Sequence, residues 1–201
     1  MSLAGRDPLS EAKALVGAEA AALAALPAML DDEFLALAEL VHRCAGRVVV
    51  TGAGTSGAVA HRLAHLLSVT GTAAYFLHPG DAVHGGVGTV TPDDILLAIS
   101  KGGYSDEVNV TAERAAGRGA RVIVLTARPV SPLAALAHRL VVLPDASAAD
   151  PGGIIAMGST LVAAAYGDAL ALAVMRLRGY GWDRVRHSHP AGAVGKLGEP
   201  R

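Results

Sequence analysis

The chain has 201 residues, 52% of them apolar and only 3% aromatic, with a formal net charge of -1. That length supports one sizeable core, and a core of mostly Ala, Val and Leu suits close packing of helices on a sheet. The near-zero charge and the lack of an Arg/Lys-rich run exclude an electrostatic case for nucleic acid. The single Cys44 excludes an intramolecular disulfide, fits a reducing compartment, and reads as a small buried hydrophobe rather than a nucleophile.

The opening stretch, MSLAGRDPLSEAK, has no basic region followed by an apolar one, so no signal peptide is expected. The longest apolar segments are Ala-rich and broken by charge, Gly or Pro. None is expected to span a membrane, and a cytoplasmic protein is the expectation. Ser10 to Ala25 carries periodic Leu and Val before Pro27, and Asp31 to Cys44 repeats that texture with Asp31 and Asp32 as capping acids. These two stretches predict N-terminal helices over about residues 8–45.

The texture then changes. RVVVT (Arg47–Thr51), AAYFL (Ala73–Leu77), DILLAI (Asp94–Ile99), RVIVLT (Arg121–Thr126) and RLVVLP (Arg139–Pro144) are short apolar runs. Helical patterns lie between most of them, at Ser56–Val69, Ser105–Gly117 and, briefly, Pro132–Ala137. Apolar strands alternating with helices predict an α/β fold, a five-stranded parallel sheet covered on both faces. A long Ala-rich helix over about Met157–Leu177 closes the pattern, and a polar tail with His187 and His189 follows from Gly179. No repeat or linker divides residues 1–201, so a single domain is expected.

In such a fold, ligands bind beyond the carboxyl ends of the strands. GAGTSG (Gly52–Gly57) follows the first strand there. It matches the dinucleotide pattern G-x-G-x-x-G formally, but the second strand ends in LHPG with no carboxylate before Asp81, and a nicotinamide cofactor is discounted. Thr55 and Ser56 stand where a helix starts, and capping is their commoner use, anion binding the rarer one. SKGGYS (Ser100–Ser105) is a second small-residue loop, which brings in Lys101 and Gly103. Two such loops at adjacent strand ends favour a shared phosphate. HPGDAVHGGVG (His78–Gly88) holds two histidines among glycines. His84 there suits an acid/base role, while metal binding lacks a consistent ligand spacing. Asp106 and Glu107 open the next helix, where the helix dipole alone accounts for acids.

Taken together, VVVTGAGTSG, TGTAAYFLHPGDAVHGGVGTVTPDD, LLAISKGGYSDE and SHPAGAVGKL resemble the sugar isomerase (SIS) domain family, with the arabinose-5-phosphate isomerase type as the nearest branch. The likeness runs from about residue 10 to Leu197. Many members of that branch carry a pair of CBS regulatory modules, and none is expected in these 201 residues.

The resemblance implies a doubly wound SIS-type domain that binds a phosphorylated sugar. By position it places Ser56, Ser100 and Ser105 on phosphate, Glu107 as the acid/base group, and His84 and His189 among the active-site histidines, with His189 reaching a neighbouring subunit of a homotetramer. No cofactor, metal, nucleic acid or membrane is implied. The sequence departs from the family at Thr55, where a lysine is usual, at Lys101, Gly102 and Tyr104, and at Ala148, where a glutamate is usual and Asp145 and Asp150 lie nearby. Lys101 offers a cation near the phosphate from a different loop. An aldose–ketose isomerase is the leading expectation. A non-catalytic phosphosugar sensor and a hexulose-phosphate isomerase are the alternatives.

Overall fold

In the computed structural model, which describes residues 7–191, 193 and 194, the five apolar runs pair as one parallel sheet. The strands are β1 (Val48–Gly52), β2 (Ala74–Phe76), β3 (Ile95–Ile99), β4 (Arg121–Thr126) and β5 (Arg139–Val142), in the order β2-β1-β3-β4-β5. The helices are α1 (Pro8–Ala24), α2 (Asp32–His42), α3 (Gly54–Val69), α4 (Pro79–Val83), α5 (Asp106–Gly117), α6 (Gly158–Leu177) and α7 (Trp182–His187). The expected α/β architecture is therefore present. The expected short helix near Pro132–Ala137 is a single 3₁₀ turn, Ala134–Leu136. Two helices were not foreseen, α4 and α7. The C-terminal end of the SHPAGAVGKL stretch, including Leu197, lies outside the described residues.

Alternation along the strands divides the core into two faces. Val48, Val50, Leu97, Ile99, Ile123 and Leu125 join one cluster, with side chains of α2, α3 and α6. Val49, Leu96, Ala98, Val122 and Val124 join the other, with Val108, Ala112 and Ala115 of α5. Full burial on both faces explains why β1, β3 and β4 read as continuous apolar runs. The chain leaves β1 toward β2 on one side and returns to β3 on the other. The crevice between the carboxyl ends of β1 and β3 is thus the switch point where ligands bind in doubly wound sheets.

The opposite edge of the sheet is locked by polar contacts. Asp94 is 2% exposed and accepts from Arg47 N (2.6 Å), Thr91 N (2.8 Å) and Thr91 Oγ1 (3.0 Å). Arg47 adds its guanidinium at 3.6 Å. Burial alone would raise the Asp94 carboxyl, but these donors and the Arg47 charge hold it below the ordinary range. Cys44 is half-buried rather than buried, its Sγ 3.5 Å from Asp93 O, and burial pushes its thiol up.

Two segments, Pro8–Met29 and α6, are long and apolar enough, by length and composition alone, to cross a membrane. Alanine accounts for it, since it raises hydropathy without supplying bulk. α6 lies in the core with Val162, Tyr166, Leu170 and Val174 buried. α1 has no buried residue, although Ala22 and Leu23 touch the core.

Candidate active site

Three long helices begin at the carboxyl edge of the sheet: α3, α5 and α6. The first amides of any helix lack partners within it and carry the positive end of the dipole. At α1 and α2 the chain covers these amides. Asp7 accepts from Leu9 N and Ser10 N at α1, and Asp31 accepts from Glu33 N and Phe34 N at α2. At α3 and α5 no described side chain caps the first turn. Thr55, Ser56 and Ser105, whose bland use is capping, leave those amides open to a ligand.

The glycines here answer to geometry. A Cβ on Gly57 would stand 2.6 Å from Gly52 O, so α3 can start this close to β1 only without one. Gly103 has φ +72°, and a Cβ on it would stand 2.2 Å from Ser131 Oγ. Gly102 differs, since a Cβ there would meet nothing within 4 Å. Ser100 is 5% exposed, and its Oγ accepts from Gly103 N at 3.1 Å. Its hydroxyl proton remains available to donate.

Lys101 is engaged within the chain. Its Nζ lies 2.5 Å from Asp150 Oδ2 and donates to Gly153 O at 3.3 Å. The Asp150 carboxylate is fully buried, and its Oδ1 accepts from Met157 N (2.8 Å) and Ser159 N (3.0 Å). Asp150 therefore covers the start of α6 with its own charge. Burial alone would raise its carboxyl, but Lys101, the amide and hydroxyl of Ser159 and the amide of Met157 hold it below the ordinary range. An anionic ligand thus finds open amides at α3 and α5, not at α6, and Lys101 is already neutralised.

The remaining expected residues fall into three places. Ser56 and Lys101 line one small cavity with Thr126, Ser159 and Thr160. Thr55 lines an outer groove between α3, α6 and the end of α1. Glu107, in the first turn of α5, is half-buried, and its carboxylate has no hydrogen bond or ion pair with a described residue. His84 ends α4, which packs against α5, and its ring is exposed. His78 does local work, its Nδ1 accepting from Gly80 N at 3.1 Å to start α4.

His189 is not brought to the loops of its own chain. α6 begins beside them and runs 20 residues, about 30 Å, to the opposite edge. There Arg178 donates to Thr72 Oγ1 and Val41 O. α7 starts at that far edge, and His189 follows it with Nδ1 2.6 Å from Val185 O. Sequence reasoning gave no role to Ser159 and noted Asp150 only for its position. An acid before Pro-Gly-Gly and a serine opening an apolar helix are the only local signals either residue leaves.

The SIS domain model matches residues 43–173. The arabinose 5-phosphate isomerase GutQ of Escherichia coli K12 is 36% identical over 170 residues, covering 85% of this chain and 53% of that protein. KdsD, the arabinose 5-phosphate isomerase of Pseudomonas aeruginosa, is 36% identical over 190 residues, or 94% of this chain and 58% of its own. The chain thus spans just over half the length of these curated relatives. Among solved structures, Escherichia coli CFT073 c3406, in complex with a phosphorylated sugar, aligns with a TM-score of 0.86 and 32% identity, over 94% of this chain and all of that one. The five-stranded sheet, the open helix starts at its switch point and these matches agree, and the chain belongs to the SIS domain family.

Proposed function

We propose that the chain is a sugar-phosphate isomerase that interconverts a phosphorylated aldose and ketose, with arabinose 5-phosphate as the first candidate substrate. The observation that carries this is the pair of helix starts at the switch point that no described side chain caps, with Glu107, whose carboxylate has no described partner, in the first turn of one. The substrate phosphate docks on the amides of α3 and α5 with Ser56, Ser100 and Ser105, while Thr55 and Gly103 shape the two loops. Glu107 removes the proton from the carbon beside the carbonyl. The electron pair moves onto the carbonyl oxygen to give an enediolate. Glu107 then returns the proton to the neighbouring carbon, and the carbonyl re-forms one position along. His84, across from α5, and His189 of a neighbouring subunit assist ring opening and oxygen protonation. Phosphate docking contributes orientation, at best roughly 7–11 kcal/mol of the barrier.

We further propose a cytoplasmic homotetramer with shared sites. Two features support it. α1 buries none of its residues, with Leu9 62% and Val16 63% exposed, and His189 stands at the edge away from its own loops. The relatives named arabinose 5-phosphate isomerase favour a pentose substrate over a hexulose phosphate.

The test is proton exchange into a panel of aldose and ketose phosphates in deuterated water. Exchange at the carbon beside the carbonyl is expected for at least one. Glu107→Gln should keep phosphosugar binding and lose roughly 10²–10⁴-fold in rate. Binding without exchange in the unmutated protein would establish the sensor reading instead.

A further inference from the structure

The cavity between α3 and α6 is not accounted for by phosphate binding. Its volume is about 20 Å³, and its polar walls are Ser56, Lys101, Thr126, Ser159 and Thr160. That volume holds one water-sized atom, not a four-oxygen phosphate. Ser159 is 9% exposed, and its buried Oγ lies beside the Asp150 carboxylate without completing a hydrogen bond to any described residue. A buried hydroxyl left this way carries a penalty that a ligand atom would remove. Lys101 lines the same cavity, and its ammonium is held by Asp150 Oδ2 at 2.5 Å and Gly153 O at 3.3 Å, which leaves its third N–H to donate elsewhere.

The chemistry of these walls selects the occupant. Asp150 cancels the Lys101 charge, so the pair offers a fixed donor and little net field. Ser159 Oγ both accepts and donates. A neutral oxygen that accepts from the ammonium and donates to the serine satisfies both walls. A second anionic group meets the Asp150 carboxylate directly behind its only cation. Ser56 belongs both to this cavity and to the first turn of α3. A ligand anchored there by phosphate therefore has its sugar chain at the cavity mouth.

We propose that Lys101 and Ser159 form a subsite for one neutral hydroxyl of the phosphosugar, with Asp150 as the positioning residue that fixes Lys101. The subsite would make the protein read the configuration at one sugar carbon. It rests on the phosphosugar reading above and adds to it which end of the substrate Lys101 recognises.

The experiment compares inorganic phosphate, arabinose 5-phosphate and its monodeoxy analogues as ligands for the full chain and four variants. In the unmutated protein one deoxy analogue should bind about 10–100-fold more weakly than the parent sugar, because a site built for a hydroxyl rejects the analogue lacking it. Lys101→Met should weaken the parent to the level of that analogue and leave inorganic phosphate within about twofold. Ser159→Ala, which keeps the Ser159 amide on Asp150 and so keeps the fold, should erase part of the same discrimination. Asp150→Asn keeps an oxygen for the Met157 and Ser159 amides while releasing Lys101. It should match Lys101→Met in pattern, and the double variant should lose no more than Lys101→Met alone, the coupling expected of a positioning residue.

Equal weakening of phosphate and parent sugar in Lys101→Met would make Lys101 a phosphate cation and overturn the subsite. Parent affinity unchanged in Lys101→Met and Ser159→Ala would mean that the cavity holds only a structural water, and would overturn the subsite as well. An unmutated protein that binds neither phosphate nor any phosphosugar would overturn the phosphosugar reading and the subsite together.

Discussion

Two buried aspartates stand at opposite edges of one sheet, and they are finished differently. Asp94, at the amino edge, takes three hydrogen bonds from Arg47 and Thr91 and an arginine besides. Asp150, at the carboxyl edge, covers the start of α6 with one oxygen and has the Lys101 ammonium against the other. At the amino edge the Asp94 carboxylate has a donor on each oxygen, while His42 Nδ1 and the start of α7 stay without a described side-chain partner. Near Asp150 no described side chain caps two helix starts, and the Ser159 hydroxyl completes no hydrogen bond to a described residue. A fully satisfied buried charge marks scaffold, while an incompletely satisfied cluster at the edge where ligands bind marks a site.

The comparison breaks most visibly if Asp94 proves dispensable. Asp94→Ala leaves the Arg47 and Thr91 amides without their acceptor and should cost about 3–5 kcal/mol in urea unfolding, the range for removing one partner of a buried charge pair. Any phosphosugar binding by the folded fraction should be unchanged. A cost below about 1 kcal/mol would show that the amino edge is not held by this cluster.

The two loop glycines sharpen the contrast between scaffold and site within six residues. Gly103→Ala forces a left-handed backbone on alanine and drives its Cβ into Ser131, so a loss of about 2–4 kcal/mol is expected. Gly102→Ser places its side chain in open space and should stay within about 0.5 kcal/mol of the parent. It adds a hydroxyl beside the α5 start, and tighter phosphate binding is the expected readout.

Acid unfolding separates the two aspartates further. Both carboxyls sit below the ordinary range in the folded chain. Their contribution is therefore fully present above the ordinary carboxylate value of about 3.9 and is lost as pH falls through the depressed folded values. Asp94→Asn should remove part of that acid dependence without altering ligand binding, whereas Asp150→Asn should alter both. Identical binding in the two variants would erase the proposed distinction.

The smallest effect is expected at the surface. Arg62 and Asp168 pair across α3 and α6, and both side chains are about half exposed. Arg62→Ala should shift stability by about 0–1 kcal/mol.

The two edges were not equally legible in the sequence. β1, β3 and β4 announced themselves because burial on both faces demands unbroken apolar runs, and α3, α5 and α6 because each returns to a core face with helical spacing. The two small-residue loops pointed to the carboxyl edge for a physical reason, since open helix starts tolerate few side chains. α4 was missed because five residues beginning Pro-Gly carry no helical period. α7 was missed because its six residues are mostly polar. Asp94 looked like the first residue of a strand, and its closing contacts come from 47 and 3 residues away. The Lys101–Asp150 pair joins positions separated by two strands and their connections, and no spacing rule links them. Lys101 therefore read as a free cation for phosphate, and only the fold showed that its charge is taken.

The central claim is that the α3 and α5 starts together hold the phosphate of a phosphosugar. A crystal structure of the protein grown with arabinose 5-phosphate tests it most directly. The phosphorus is expected between the first turns of α3 and α5, within hydrogen-bonding reach of their amides and of the Ser56, Ser100 and Ser105 hydroxyls. A phosphate bound to Lys101 at the start of α6, or anywhere along the amino edge beside Asp94, would contradict it.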